Sequence, residues 1–297
     1  MTQAMLTGCF TALVTPFNAN GAVDADAFAK LVDWQLMEGI HGLVPVGSTG
    51  EAATMTLEER LGVVRLCAER AAGRVPVIAG AGGNDTRVAI ETSKAMGGTG
   101  ATHLLHVSPM YSKPPQRGIL AHFRAIADAS PLPVVVYNVP GRTASNIEAE
   151  TTLSLAQHEN IVAVKEASGN PAQISEVIRH APKGFSVLSG DDSITLGVIA
   201  AGGQGVVSVV SNAVPRNMAD LCRRALEGEM EAARALHLQL HAFMQTAFCE
   251  SNPIPVKAAL AMMGRIQNQL RLPLVPMDAK HDAKLRASLV EAGALVK

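Results

Sequence analysis

Short apolar segments alternate with longer amphipathic segments along most of the chain. The apolar runs are rich in Val, Ile and Leu, and they begin near residues 10, 42, 75, 102, 133, 161, 185 and 205. They show little polar alternation, which is typical of parallel strands that are covered on both faces. Stretches with helical periodicity lie between the runs, for example at residues 24–38, 57–72 and 117–129. The pattern therefore predicts an α/β fold with a parallel sheet.

Eight strand–helix units on one chain favour a (β/α)8 TIM barrel. The glycine-rich returns GIHG, GGTG and GGQG precede the second, fourth and eighth runs, as expected where a helix ends before a tight return. A doubly wound sheet is the structural alternative, but it would need fewer repeats and a glycine-rich turn directly after the first strand. The strand signal stops after about Gly228. We therefore predict a barrel domain over residues 1–228 and a small, all-helical C-terminal appendage over residues 229–297.

The composition narrows the class of protein. The 297 residues are 48% hydrophobic and 17% charged, which is enough apolar material for a large core. The net charge of −1 indicates neither a nucleic acid nor an anionic membrane as partner. No apolar run reaches the roughly 18 residues of a membrane span. The four cysteines are far apart and suit reduced thiols, so we predict a cytoplasmic protein.

Several reactive side chains follow the predicted strands, where barrel enzymes carry their active sites. Both tyrosines of the chain fall there, because Tyr111 follows the fourth strand and Tyr137 closes the fifth. Ser48 and Thr49 follow the second strand in the segment GSTGE. Packing or helix capping would explain each hydroxyl taken singly. Their shared position at the predicted barrel mouth favours a site.

Lys165 ends the apolar run IVAVK and is the sharpest catalytic candidate. An apolar collar disfavours the ammonium and lowers the pKa, and a neutral amine can attack a ketone to form a Schiff base. Tyr137 could move protons to and from the carbinolamine, with Thr49 and Tyr111 available as a hydroxyl relay. The alternative is a lysine in solvent, or one that is paired with Glu166.

Two further features could hold carboxylates. The backbone N–H groups of the GSTGE turn favour an anion, although helix capping by Ser48 or Thr49 explains the segment equally well. Arg142 lies in the loop after Tyr137 and could bind a second carboxylate in bidentate fashion. A solvated loop arginine is the commoner case.

The remaining polar candidates favour structural roles. Asp191 and Asp192 suit helix capping better than metal binding. His237 and His241 are four residues apart on a predicted helix but lack a third ligand nearby. Lys257 follows two prolines at a predicted helix start, where a structural role is the default.

Six segments of the chain resemble the 4-hydroxy-tetrahydrodipicolinate synthase family, formerly the dihydrodipicolinate synthases, in order and approximate spacing. They are GSTGE, the Tyr111 segment, YNVPGRT, KEASGN, SGDD and NPIPVK. The resemblance runs from TALVTPF at residues 11–17 through NPIPVK at residues 252–257. GSTGE and the lysine segment are shared with the wider N-acetylneuraminate lyase superfamily. YNVPGRT and NPIPVK are more specific to the synthase branch.

The resemblance implies a lyase that condenses pyruvate with a small acidic aldehyde, L-aspartate 4-semialdehyde, in lysine and diaminopimelate biosynthesis. It implies that Lys165 forms the Schiff base and that Tyr137, Thr49 and Tyr111 form the proton relay, with Tyr111 reaching across a subunit interface. It implies no metal or organic cofactor, since the lysine acts as the electron sink. It also implies a homotetramer that is built from tight dimers.

The same resemblance assigns the substrate contacts. The main chain of Ser48 and Thr49 would hold the pyruvate carboxylate, and Arg142 would hold the carboxylate of the aldehyde. Gly190 and Val207 would line the pocket.

Some positions depart from the family pattern. Ser48 stands where many members have Thr, and Met110 stands where many have a second tyrosine, which leaves room for a different aldehyde.

In relatives that are inhibited by L-lysine, the inhibitor binds a cleft at the dimer interface. The matching positions here are Ala52, Leu57, Arg60, Asn84, Val88 and Met110. Val88 replaces a carboxylate and Arg60 adds a like charge, so the resemblance implies weak feedback or none.

Two other functions stay open. The chain could be another class I pyruvate-dependent aldolase that acts on a different aldehyde or 2-keto acid, although Arg142 favours a short acidic aldehyde over a polyol. It could also be a non-catalytic barrel that binds a small molecule. That function would require the loss of a catalytic group, whereas Lys165, Tyr137, Thr49 and Tyr111 are all present.

Overall fold

The computed structural model describes residues 5–296, and its centre is a nearly closed barrel of eight parallel strands. The strands are β1 (Gly8–Ala12), β2 (Gly42–Val44), β3 (Ile78–Gly80), β4 (His103–Val107), β5 (Val134–Asn138), β6 (Ile161–Glu166), β7 (Ser186–Ser189) and β8 (Gly205–Ser208). Consecutive strands pair in parallel from β3 to β8, and β1 pairs with both β2 and β8. A bridge between Leu43 and Val77 joins the two remaining edges. The predicted TIM barrel is confirmed.

Helices follow the strands and form the outer layer. They are α1 (Ala25–Met37), α2 (Leu57–Ala71), α3 (Thr86–Met96), α4 (Gln116–Ala129), α5 (Pro140–Thr143), α6 (Ala149–Leu155), α7 (Pro171–His180), α8 (Thr195–Ala200), α9 (Pro215–Leu226), α10 (Met230–Thr246), α11 (Ile254–Met262) and α12 (Asp282–Glu291). The helices predicted at residues 24–38, 57–72 and 117–129 correspond to α1, α2 and α4, with ends that differ by at most one residue.

Side chains of each strand alternate between the barrel interior and the helical layer. In β5, Val135 and Tyr137 face the interior cluster, whereas Val134 and Val136 pack against the helices. Apolar side chains fill the interior below the mouth, so the ends of the strands are left as the place for a ligand.

The segment after β8 is helical, as predicted, and α10 packs on α9 and α12. We keep the division into a barrel at residues 1–228 and an appendage at residues 229–297 as a proposal; residues 1–4 and 297 of these ranges lie outside the described residues. Within residues 5–296, no helix has the length and hydropathy to cross a membrane.

Candidate active site

A cavity of about 350 Å³ opens at the carboxyl ends of the strands. This size suits a small organic ligand. The cavity gathers six of the eight residues that the sequence nominated: Ser48, Thr49, Tyr137, Arg142, Lys165 and Gly190.

Lys165 lies in β6 directly beside Tyr137 of β5, and its Nζ is 4.1 Å from the centroid of the tyrosine ring. Its side chain is buried, and within residues 5–296 no carboxylate or hydrogen-bond acceptor contacts the amine. Burial lowers the pKa of Lys165 to about 7, while the charge of Asp192 opposes this shift and that of Arg142 adds to it. A large share of the amine is therefore neutral near pH 7 and can act as a nucleophile.

Glu166 follows Lys165 in the strand and points to the opposite face. Its carboxylate accepts hydrogen bonds from Asn138 Nδ2 at 3.0 Å and from the Ser168 backbone N–H at 2.6 Å. Glu166 therefore does not pair with Lys165, and the alternative that the sequence left open is not observed.

Tyr137 is buried under the amine. Burial raises the pKa of this phenol to about 12, although the charge of Arg142 lowers it in part. The phenol is thus protonated at neutral pH and can give a proton to a reacting oxygen before it takes one back.

The absence of a side chain at Gly190 makes room for the side chain of Lys165. A Cβ atom at this position would lie 2.7 Å from the Ala167 Cβ and 3.2 Å from the Lys165 Cε. Val207 lies deeper, in the packed barrel interior, and Val209 lines the cavity beyond the end of β8.

The GSTGE segment forms a tight loop at residues 47–51. Glu51 has a positive φ of 55°, and the Gly50 backbone N–H donates to the Gly47 carbonyl at 3.0 Å. Thr49 Oγ1 accepts a hydrogen bond from Asn252 Nδ2 at 2.8 Å. Neither Ser48 nor Thr49 caps the next α-helix, because α2 has its own capping box between Thr56 and Glu59.

Arg142 lies in the short helix α5 at the rim of the cavity. Its side chain is exposed, and Nη2 donates to the Asn252 carbonyl at 3.1 Å. The guanidinium keeps donors for a ligand that carries a carboxylate.

Tyr111 does not enter this cavity. Its side chain is 92% exposed, its φ is 68°, and its backbone N–H donates to the Thr143 carbonyl. A role at the site of a neighbouring subunit stays a prediction.

The residues that were assigned structural roles have structural contacts. Asp191 caps a short turn by accepting from the Ser193 backbone N–H at 2.8 Å, and Asp192 accepts from the Val209 backbone N–H at 2.9 Å. His237 and His241 lie with ring centroids 5.9 Å apart. Across residues 5–296, no group of three or more His, Cys, Asp or Glu side chains is placed to hold a metal ion.

The sequence reasoning missed the contacts of the NPIPVK segment. Lys257 Nζ donates to Glu51 Oε1 at 2.6 Å and to the Thr15 carbonyl at 2.9 Å, and this ion pair is fully buried. Asn252, from the same segment, contacts Thr49 and Arg142. The available signal was the motif itself, but nothing local in it indicates a partner about 200 residues earlier.

Comparison with known proteins identifies the family of the chain. The model of the dihydrodipicolinate synthetase family matches residues 5–292. The chain is 50% identical to the 4-hydroxy-tetrahydrodipicolinate synthase of Koribacter versatilis, with 98% of this chain and 97% of that protein covered. It is 49% identical to the enzyme of the same name from Maridesulfovibrio salexigens, with 96% and 98% covered.

A solved structure extends the comparison to three dimensions. A chloride-inhibited dihydrodipicolinate synthase from Acinetobacter baumannii, complexed with pyruvate, superposes with a TM-score of 0.96 at 39% identity. The match covers 98% of this chain and 100% of that one. The chain therefore belongs to the dihydrodipicolinate synthetase family.

Proposed function

We propose that this chain is a lyase that condenses pyruvate with L-aspartate 4-semialdehyde to give 4-hydroxy-tetrahydrodipicolinate, a step of lysine and diaminopimelate biosynthesis. The observation that carries the proposal is the buried Lys165 amine, which has no ion-pair partner among the described residues and lies 4.1 Å from the Tyr137 ring. The pyruvate complex of the Acinetobacter baumannii relative supports pyruvate as the first substrate.

The reaction starts when the neutral Nζ of Lys165 attacks C2 of pyruvate and forms a carbinolamine. Tyr137 gives its proton to the carbinolamine oxygen, water leaves, and the nitrogen lone pair forms the iminium bond. Loss of a C3 proton then gives an enamine. The iminium takes up the electron pair of that C–H bond, so the reaction draws on no metal or organic cofactor.

The enamine carbon attacks the aldehyde carbon of the semialdehyde, and the aldehyde oxygen takes up a proton. The amino group of the product then attacks the iminium carbon, which closes the ring and expels the Lys165 amine. Each proton passes through hydroxyl groups at the mouth, for which we propose Tyr137, Thr49 and Tyr111.

The two carboxylates have separate sites in this proposal. The backbone N–H groups of Ser48 and Thr49 hold the carboxylate of pyruvate. Gly190 shapes the pocket around it, with Val207 packed in the barrel interior below. Arg142 holds the carboxylate of the semialdehyde at the rim, where a planar guanidinium can form two parallel hydrogen bonds.

The assembly is also part of the proposal. Tyr111 is almost fully exposed and lies outside the cavity of its own chain, which suits a side chain that enters the site of a neighbouring subunit. We propose a homotetramer, a dimer of dimers, that works in the cytoplasm. Sedimentation analysis tests the oligomer.

Mass spectrometry after borohydride reduction tests the covalent step. Incubation with pyruvate and borohydride should add one reduced pyruvyl group to Lys165, and Lys165→Ala should abolish this addition. Label on Lys257 or on another lysine instead would overturn the assignment.

A second candidate is condensation of pyruvate with another aldehyde, which the methionine at position 110 favours. Met110 lines a second cavity of about 430 Å³ that adjoins the first. Turnover with pyruvate and a panel of acidic, neutral and polyol aldehydes separates the two. The proposal requires the fastest turnover with the semialdehyde, and Arg142→Ala should raise its KM while pyruvate trapping persists.

A further inference from the structure

Asn252 stands at the junction of the two cavities. It lines both of them, and its side chain is 7% exposed. The cavity with Lys165 is the pyruvate site of the proposed function, and Arg142 borders both spaces. Burying an amide costs free energy unless hydrogen bonds compensate for the lost water. The contacts of Asn252 at this junction therefore matter.

The two ends of Asn252 contact one residue of each substrate site. Its side-chain Nδ2 donates to Thr49 Oγ1 at 2.8 Å, and its backbone carbonyl accepts from Arg142 Nη2 at 3.1 Å. Any displacement of Asn252 would therefore move both a relay hydroxyl and the guanidinium at the rim.

The direction of the first hydrogen bond determines what Thr49 can do. A threonine hydroxyl has one proton to donate and two lone pairs that accept. Because the amide donates, it occupies a lone pair and leaves the hydroxyl proton free to point into the cavity. Asn252 Oδ1, which would have captured that proton, is buried and has no hydrogen-bond partner among the described residues.

A buried network holds Asn252 in place. Five residues further along the same segment, Lys257 is ion-paired with Glu51, which ends the loop that carries Thr49. The second oxygen of Glu51 accepts from the Arg271 backbone N–H at 3.0 Å. The GSTGE loop and the NPIPVK segment are thus joined twice, by the Asn252–Thr49 hydrogen bond and by the Lys257–Glu51 ion pair.

We propose that Asn252 is a positioning residue that directs the Thr49 hydroxyl proton into the cavity and couples this relay group to Arg142. The proposal rests on the proposed function, since it gives Thr49 a proton to transfer during Schiff-base formation. It adds a direction to the relay. The Asn252 amide donates a hydrogen bond to the Thr49 hydroxyl, and this hydroxyl donates its own proton towards the reacting oxygen.

A double-mutant cycle tests the proposal through the rate at which pyruvate becomes trapped on Lys165 under borohydride. Asn252→Asp keeps the size of the side chain but turns the donor into an acceptor, which draws the Thr49 proton away from the cavity. Trapping should slow by at least about tenfold, a part of the about 10²–10⁴-fold that positioned proton transfer contributes. Asn252→Ala should slow it less, because the hydroxyl is then free to rotate.

The same two substitutions in a Thr49→Val background are the decisive comparison. Without a hydroxyl to direct, Asn252→Asp and Asn252→Ala should change the trapping rate less than about twofold. Equal losses in both backgrounds would show that Asn252 acts through packing or charge, and would overturn the proposal. An unchanged rate for Asn252→Asp in the parent would overturn it as well.

Two controls separate this test from other failures. Ser251→Ala, at the exposed neighbouring position, should leave the rate unchanged, and thermal unfolding of each variant shows whether it is folded. The trapping rate involves pyruvate alone, so a parent that traps pyruvate but does not turn over the semialdehyde contradicts the proposed condensation and leaves the Asn252 test valid.

Discussion

Two buried lysines, Lys165 and Lys257, have similar apolar surroundings and different partners. Their side chains are 5% and 0% exposed, and each amine lies over an aromatic ring, at 4.1 Å from Tyr137 and 4.4 Å from Phe17. Lys257 donates to Glu51 and to a backbone carbonyl, whereas no such contact reaches Lys165 from the described residues.

The difference indicates that the partner of a buried amine determines how far the effect of burial is offset. Burial lowers the pKa of both lysines, but for Lys257 the charge and hydrogen bond of Glu51 oppose the shift. A carboxylate partner favours the charged form of a buried amine. An amine without that partner gives up its proton more easily and can act as a nucleophile.

The substitution Tyr137→Phe places a phenylalanine ring beneath Lys165, as Phe17 lies beneath Lys257. We expect it to cause the largest loss of activity. It removes the proposed proton donor and leaves the packing, so kcat should fall about 10²–10⁴-fold while pyruvate binding changes little. Steady-state kinetics and pyruvate titration measure the two effects. A kcat within twofold of the parent would show that Tyr137 only packs against the lysine.

Replacing each lysine by methionine should affect folding in opposite ways. Lys257→Met leaves the Glu51 carboxylate buried without its cation, which should lower the free energy of unfolding by about 3–5 kcal/mol. Lys165→Met removes an unpaired buried amine, so the free energy of unfolding should stay the same or rise. Urea unfolding at pH 7, followed by circular dichroism, measures both, and similar losses in the two variants would refute the distinction.

The comparison also predicts the pH dependence of Schiff-base formation. The pKa of Lys165 is lowered to about 7, so the neutral, reactive fraction grows as the pH rises. The trapping rate should increase about tenfold per pH unit below that pKa and level off above it. A midpoint near pH 10 would mean that the reactive amine behaves as an exposed lysine.

The smallest effect that we expect is the inhibition of activity by free L-lysine. Its ammonium groups need carboxylate partners as Lys257 does, but the positions that match the inhibitor cleft of relatives carry Val88, which is exposed, and Arg60, whose charge repels them. A titration of activity with L-lysine should show no half-inhibition at submillimolar concentration. Val88→Glu supplies a carboxylate and should strengthen inhibition; strong inhibition of the parent would contradict this expectation.

The parts of the molecule that the sequence predicts are those with local or neighbouring causes. The strands follow from short apolar runs, and the contact between Lys165 and Tyr137 follows because both end adjacent parallel strands. Tyr111 is exposed, and its proposed role depends on a neighbouring subunit, so contacts within the chain do not reveal it. The contact of Asn252 with Thr49 spans 203 residues, so no periodicity in the chain indicates it.

Val207 shows how uncertain strand ends limit the prediction of pocket-lining side chains from the sequence. β8 ends at Ser208, and the first side chain after this strand that lines the cavity is Val209, two positions beyond Val207. Because side chains alternate, an error of one or two residues in a strand end changes the depth at which a side chain lies.

The bonds between the GSTGE loop and the C-terminal segment also order events during synthesis. A ribosome releases the chain from its N-terminus, so Thr49 and Glu51 emerge about 200 residues before Asn252 and Lys257. A nascent chain with all eight strands already carries Lys165 and Tyr137, but Glu51 still lacks its cation and Thr49 its amide donor. The GSTGE loop therefore attains these two hydrogen bonds only after residues 252–257 have been synthesised.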